Sequence, residues 1–182
     1  MAGVWTNNWA NIQRGWAADM MSSNVGPVYN TSGNAVAYVK SVSASRPLND
    51  LVSSVNTSTT TCAVRFGTSN TAPSVNDYTL GEQFASGLSY ISASTEPKSY
   101  DPQTGLVTVT STVVIQNTAS ADKIIREWGL FGSVNGIRSG QSSSTSYDVL
   151  FYRAVLDEPI TLPQYYSLKL TITRTMQLEV LE

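Results

Sequence analysis

Runs in which apolar and polar residues alternate one by one recur along most of this chain. The strongest is residues 106–116 (LVTVTSTVVIQ), whose β-branched side chains suit a pleated surface. Similar runs occupy residues 35–43, 61–66 and 88–94, and three more lie between residues 124 and 176. About seven strands, separated by turn signals at roughly ten-residue spacing, predict a mainly β chain folded as an antiparallel β-sandwich.

The first 20 residues carry a different period. Apolar residues recur there at steps of four, three, four and four, the spacing of one face of an amphipathic helix; they are Trp5, Trp9, Ile12, Trp16 and Met20. Thr6 is a candidate N-cap for a helix that starts slightly later. The chain is therefore predicted to consist of an N-terminal helical arm (residues 1–25) and a β-sandwich domain (residues 26–182).

This apolar stripe has three candidate contacts. It can pack on the chain's own sheet, or it can dock on a neighbouring subunit, because tryptophan is enriched at interface anchors. Binding along a membrane surface is the weakest of the three, since the polar face of the helix holds little positive charge.

Composition excludes several functional classes. The chain has no histidine and one cysteine, which rules out a Ser-His-Asp or Cys-His catalytic site, a Cys/His zinc site and an internal disulfide. The net charge is −2 and the basic residues are scattered singly, so no electrostatic footprint for nucleic acid is present. No window approaches the roughly 20 apolar residues of a membrane span, and the N-terminus does not read as a secretory signal. We expect a protein made in a cytoplasm.

Sequence signatures of catalysis are equally lacking. There is no phosphate-binding P-loop and no glycine-rich dinucleotide loop between a strand and a helix. A carboxylate pair for glycoside hydrolysis is set by space rather than by sequence; Glu82, Glu127 and Asp157 are the candidates, but no pattern marks them. We predict a non-enzymatic protein that needs no cofactor and no metal ion.

Glu127 is the most informative single charge. Alternation in the run IIREWGLF places it on one face of a strand with Ile125, Gly129 and Phe131. Arg153 is the only cation of the next strand, LFYRAVL. If the two strands form a hairpin, the side chains can oppose each other as a partly buried structural ion pair. The alternative is that Glu127 lies at a sheet edge and contacts a neighbouring subunit.

The C-terminal run, residues 168–181, is long for one strand. Its alternation predicts a final sandwich strand over residues 168–175. The remainder is a candidate extension with which another subunit can pair, through Met176, Leu178 and Val180.

Several of these segments resemble sequence motifs of a known group of proteins. Residues 126–131 read R-E-x-G-L-F, residues 150–154 read L-x-x-R-A, and P-I with a polar turn precedes a last strand of alternating threonine and aliphatic residues. Upstream, x-F-G-T runs into T-A-P-S-x-x-D-Y-x-L over residues 65–80. This pattern resembles that of tailed-bacteriophage virion proteins, although it covers under half of the chain.

The resemblance implies a structural protein of the virion, made in the bacterial host cytoplasm. It would act through contacts with itself and with other virion proteins, as a homo-oligomeric tail, neck or fibre-base component. A capsid decoration protein that stabilises the major-capsid lattice is the alternative. A further alternative, from fold analogy alone, is a carbohydrate-binding module in which exposed tyrosines or Trp128 stack on sugar.

Overall fold

The computed structural model describes residues 2–17, 27–38, 64–95, 99–101, 103–104, 106–138 and 145–177. Within these ranges the chain is mainly β, as the alternating pattern predicted. In chain order the elements are β1 (Ala2–Trp5), α1 (Asn7–Ala17), β2 (Val28–Tyr29), β3 (Ala35–Tyr38), β4 (Val64–Gly67), β5 (Leu88–Thr95), β6 (Ser99–Asp101), β7 (Leu106–Asn117), β8 (Lys123–Arg138), β9 (Thr145–Leu162) and β10 (Ser167–Gln177).

The strands form two antiparallel sheets. In the six-stranded sheet the order is β1-β9-β8-β3-β2, and β4 also pairs with β8. In the four-stranded sheet the order is β10-β7-β5, and β6 pairs with the part of β7 that β5 does not reach. Long β8 and β9 are neighbours for most of their length, so the larger sheet is built around one hairpin.

One hydrophobic cluster contains residues of both sheets. Its buried members are Val64, Phe66, Ile125, Trp128, Leu130, Ala154 and Leu162 from the six-stranded sheet, and Leu88, Tyr90, Val113, Ile115 and Ile172 from the four-stranded sheet. Burying a large aliphatic or aromatic side chain stabilises a fold by about 1.5–3 kcal/mol. This cluster is therefore the main source of stability among the described residues.

The opposite face of β8 and β9 is covered by other parts of the chain. Alternation in β8 places Trp128 in the main cluster and Phe131 on the far side, where it packs with Leu80 and Leu150. A register shift leaves Phe151 without a partner in β8, so that it and its neighbour Leu150 are both buried. This second face holds the charged residues considered below.

The helix begins later than the spacing of apolar residues predicted. Trp5 lies in β1, where it pairs with Tyr152, and α1 starts at Asn7. The edge of β9 accounts for the difference, because pairing with it satisfies the backbone of residues 2–5. The hydroxyl of Thr6, the candidate N-cap, donates to the carbonyl oxygen of Leu150 at 2.7 Å, and the Thr6 carbonyl oxygen accepts from the N–H of Trp9 at 3.1 Å.

The described part of the apolar stripe contacts the same chain. Ile12 is buried with Val28, Val149 and Phe151, and Trp9 packs against this group. The rings of Trp5 and Trp9 stack at 5.2 Å between centroids. Residues 2–17 are thus an edge strand and a helix that lie on the six-stranded sheet. Trp16 belongs to α1, and Met20 lies outside the described residues.

Candidate functional site

Glu127 and Arg153 form an ion pair on the second face of the six-stranded sheet. The Nε atom of Arg153 lies 2.8 Å from Oε2 of Glu127, and the two side chains are 3% and 0% exposed. Glu127 is paired with Val155 and Arg153 with Gly129, so the two charges are diagonal neighbours rather than directly opposite. Complete burial leaves Glu127 no access to a neighbouring subunit.

The Glu127 carboxylate also accepts three backbone hydrogen bonds from a single irregular segment. Oε1 accepts from the N–H groups of Glu82 at 2.8 Å and Ser69 at 3.3 Å. Oε2 accepts from the N–H of Gly81 at 3.1 Å. We call residues 68–82 the covering segment, because they lie over this face between β4 and β5. One carboxylate therefore holds both ends of the covering segment against the sheet.

Arg153 holds the middle of the covering segment. Its Nη1 atom donates to Oδ2 of Asp77 at 2.9 Å, and Nη2 donates to the carbonyl oxygen of Thr71 at 3.1 Å. Burial lowers the pKa of the guanidinium, but the hydrogen bonds and charges of Asp77 and Glu127 outweigh it and raise the pKa above its ordinary value. The cation is thus fully compensated by the two carboxylates.

Two glycines make the close approach possible. A Cβ atom on Gly67 would lie 2.4 Å from the carbonyl oxygen of Glu82 and 2.5 Å from Oε1 of Glu127. A Cβ atom on Gly81 would lie 2.5 Å from Oγ of Ser69. A larger residue at either position would push the covering segment away from the carboxylate that holds it.

The covering segment also connects the N-terminal helix to the sheet. The backbone N–H of Asn7 donates to the carbonyl oxygen of Val75 at 2.7 Å, and its side-chain amide donates to Oδ1 of Asn76 at 3.0 Å. Asn8 in turn bonds the backbone of Tyr29 through both its amide nitrogen and its oxygen. The start of α1 is thereby fixed between the covering segment and β2.

A second buried cation lies on the same face. Arg65 forms an ion pair with Asp148, and its guanidinium carbon lies 4.2 Å from the centre of the Phe131 ring. Burial raises the pKa of the Asp148 carboxyl, while the charge and hydrogen bond of Arg65 oppose the increase. This pair secures β4 to β9 across the sheet.

These polar groups are bonded to the chain itself. Both oxygens of Glu127 are occupied by backbone N–H groups and by Arg153, and the Glu82 carboxylate accepts a hydrogen bond from Thr68 at 2.6 Å. Among the described residues no three or more His, Cys, Asp or Glu side chains are grouped to hold a metal ion. No helix in the described part of the chain is long and apolar enough to cross a membrane.

The remaining predicted contact residues are separated in the structure. Met176 lies in β10 opposite Val107, whereas Leu178 and Val180 lie outside the described residues. Trp5 is 43% exposed, so this member of the apolar stripe remains accessible in the described structure. Trp128 is only 6% exposed and packs in the core, which leaves it unable to stack on a sugar.

The acceptors and donors of the covering segment were not predicted from the sequence. Most of them are backbone groups, and a backbone N–H carries no signature in the residue type. Asp77 lies in the motif D-Y-x-L of the resemblance, but the sequence assigned it no contact.

Comparison of the chain with models of known protein families, with curated proteins and with solved structures yields no match. Function therefore has to be inferred from the residues of this chain.

Proposed function

We propose that this chain is a non-enzymatic structural protein of a tailed-bacteriophage particle, and that its two sheets pack face to face as a β-sandwich. Within the particle we place it in the tail, the neck or the base of a fibre. The observation that supports this most strongly is the meeting of three of the four segments that carry the resemblance.

Each of these segments supplies one charged residue to a single network. Asp77 comes from the upstream motif, Glu127 from R-E-x-G-L-F and Arg153 from L-x-x-R-A, and the three side chains are joined by bonds of 2.8 and 2.9 Å. Motifs spread over some 90 residues thus meet in one network, which fixes the covering segment on the sheet. Such a network suits a structural role, because it holds a surface segment in place.

The surface is suited to contacts with protein. Charged residues are 13% of the chain, against about 25% in typical proteins. Large apolar side chains are exposed at several places, and aromatic residues are enriched in the contacts between proteins. Among the described residues, the most exposed of these side chains are Tyr165, Tyr166, Tyr100, Ile91, Val75, Ile124 and Trp5. The sandwich itself is supported by the cluster that contains buried residues of both sheets.

The direct test is mass spectrometry of purified particles of the virus that encodes the chain. We expect the chain in a fixed ratio to the major capsid protein. An amber mutation in its reading frame, grown in a non-suppressing host, should give particles that lack a tail, a neck or fibres in electron micrographs. Absence of the chain from purified particles would overturn the proposal.

The same mutant distinguishes the proposed role in the tail, neck or fibre base from the alternative role as a capsid decoration protein. That role predicts particles with complete tails whose heads lose DNA on mild heating or on removal of magnesium. A role in binding host glycans predicts complete particles that adsorb poorly, and it would have to use the exposed tyrosines rather than buried Trp128.

A further inference from the structure

Strand β10 offers a long edge on the four-stranded sheet. Its eleven residues pair consecutively with β7 from Ser167 to Gln177 without a shift of register. Among the described residues, no strand pairs with its other side. In an antiparallel sheet alternate residues direct their N–H and C=O groups away from the neighbouring strand. The outer side of β10 therefore presents a regular row of backbone donors and acceptors.

The other edge strands that the structure describes have features that hinder pairing with a further strand, and β10 lacks these features. Strands β1, β2, β4 and β6 have only four, two, four and three residues. Strand β5 is longer, but its register shifts between Tyr90 and Ser92, and such a bulge interrupts pairing. Short strands and bulges are devices by which proteins avoid edge-to-edge association. Strand β10 has neither device and contains no proline.

The core-facing side chains of β10 are incompletely covered. Ile172 is buried in the main cluster, whereas Leu168 and Leu170 pack against that cluster but stay partly exposed. A further strand beside β10 would extend the sheet and cover both leucines. The outward row of β10, with Lys169, Thr171 and Thr173, is exposed and uncharged apart from the lysine.

We propose that β10 pairs along this edge with β10 of a second copy of the chain, antiparallel about a two-fold axis at residues 170–172. The proposal rests on the proposed function, since it names a surface through which virion subunits would assemble. The occupant is a second copy because the strand is complementary to itself in this direction.

Charge placement sets that direction. A parallel, in-register pair would put Lys169 of one copy beside Lys169 of the other, and like charges opposite each other are unfavourable. With the two-fold axis at residue 170, 171 or 172, Lys169 instead faces Thr171, Thr173 or Thr175. Leu168, Leu170 and Ile172 of the two copies then lie beside one another, and Arg174 of each copy faces residue 166, 168 or 170 of the other. Both copies use the same patch, as in an isologous contact.

The test is sedimentation equilibrium of the full-length protein from about 1 to about 100 µM. We expect a reversible monomer–dimer equilibrium. Replacing Thr171→Lys and Thr173→Lys together sets lysine against lysine in each of the three registers, so the dissociation constant should rise at least tenfold. The matched control is Ser89→Lys with Ser92→Lys, which adds the same charge to the exposed face of the bulged strand β5. It should change the constant by less than about twofold.

Hydrogen exchange gives a second readout that needs no variant. In the unmodified protein, amides of residues 168–174 should exchange more slowly at high than at low concentration, while those of β5 should not change. A monomer at every concentration, or a dimer that the β10 variant and the control weaken equally, would overturn self-pairing.

The two proposals fail separately. A chain that is monomeric in solution but present in purified particles removes only the β10 contact. A chain that dimerises through β10 but is absent from particles removes the proposed function and leaves β10 as a self-pairing edge without a role in a virion.

Discussion

Replacing Glu127 with glutamine should destabilise the protein far more than loss of one surface charge would. The carboxylate accepts four hydrogen bonds, two on each oxygen, from Ser69, Gly81, Glu82 and Arg153. A glutamine amide has one oxygen, so its NH2 group must face two of the four donors. Each buried donor that loses its acceptor costs about 1–3 kcal/mol, and breaking a buried ion pair costs about 3–5 kcal/mol.

Arg153 keeps Asp77 and the Thr71 carbonyl oxygen as partners, which places the expected loss towards the lower end of that range. We therefore expect Glu127→Gln to lower the free energy of unfolding by about 3–4 kcal/mol. For a chain of this length that corresponds to a fall in melting temperature of roughly 10 °C. Urea unfolding followed by tryptophan fluorescence measures the loss, and an unchanged m-value would show that the unfolded state is not altered.

The matched control is Glu82→Gln. Glu82 lies in the same covering segment, but it is exposed and its carboxylate bonds only the Thr68 hydroxyl among the contacts described, so we expect a loss below about 1 kcal/mol. Hydrogen exchange should show faster exchange at the amides of Gly81 and Glu82 in Glu127→Gln than in the unmodified protein. A loss below about 1 kcal/mol for Glu127→Gln, or equal losses for the two variants, would refute the assignment of Glu127 as the anchor.

Three further changes probe the same face of the sheet by urea unfolding. Gly67→Ala places a methyl group within 2.5 Å of Glu127 Oε1 and should cost about 2–3 kcal/mol; a loss below about 0.5 kcal/mol would contradict the close approach. Asp77→Asn leaves the guanidinium paired with Glu127 and should cost about 1–2 kcal/mol, less than Glu127→Gln; a larger loss would reverse the order of the two anchors. Burial raises the pKa of Asp148, so the folded state binds the proton of this carboxyl more tightly than the unfolded state does. The free energy of unfolding that the protonated carboxyl contributes is therefore present at low pH and is lost as the pH rises through the pKa of the folded state. The difference in unfolding free energy between the unmodified protein and Asp148→Asn should therefore fall from about pH 4 upwards, and a rise would show that the pKa is instead lowered.

The strands were predictable where apolar and polar residues alternate over a long run. The strand conformation of β1 at the N-terminus was not predictable in this way. Strands β7 to β10 each show several consecutive alternations, and the hairpin of β8 and β9 followed from their order along the chain, whereas the pairing of β7 with β10 did not. β1 has four residues, too few for a period of two to appear, and Trp5 happens to lie four positions before Trp9. Its conformation is decided by the edge of β9, which is a tertiary contact that local spacing does not contain.

The ion pair was predictable and its surroundings were not. A glutamate and an arginine on adjacent strands, each among apolar residues, are sufficient to indicate that the two charges meet. The register was different, because Glu127 is paired with Val155 and Arg153 with Gly129, which places the two charges diagonally. The three backbone donors to Glu127 lie 45 to 58 residues away in an irregular segment, and no side-chain pattern marks them.

The backbone of the covering segment explains why a charge is buried here. A buried ion pair can often be replaced by apolar residues of similar volume at no cost, because the desolvation of the two charges offsets their attraction. Glu127 cannot be replaced by an apolar residue without cost, because an apolar side chain would leave the N–H groups of Ser69, Gly81 and Glu82 without an acceptor. Arg153 then compensates the carboxylate and reaches the middle of the same segment. The pair is thus dictated by an irregular surface segment that has to be held on a sheet, which accords with the structural role proposed above.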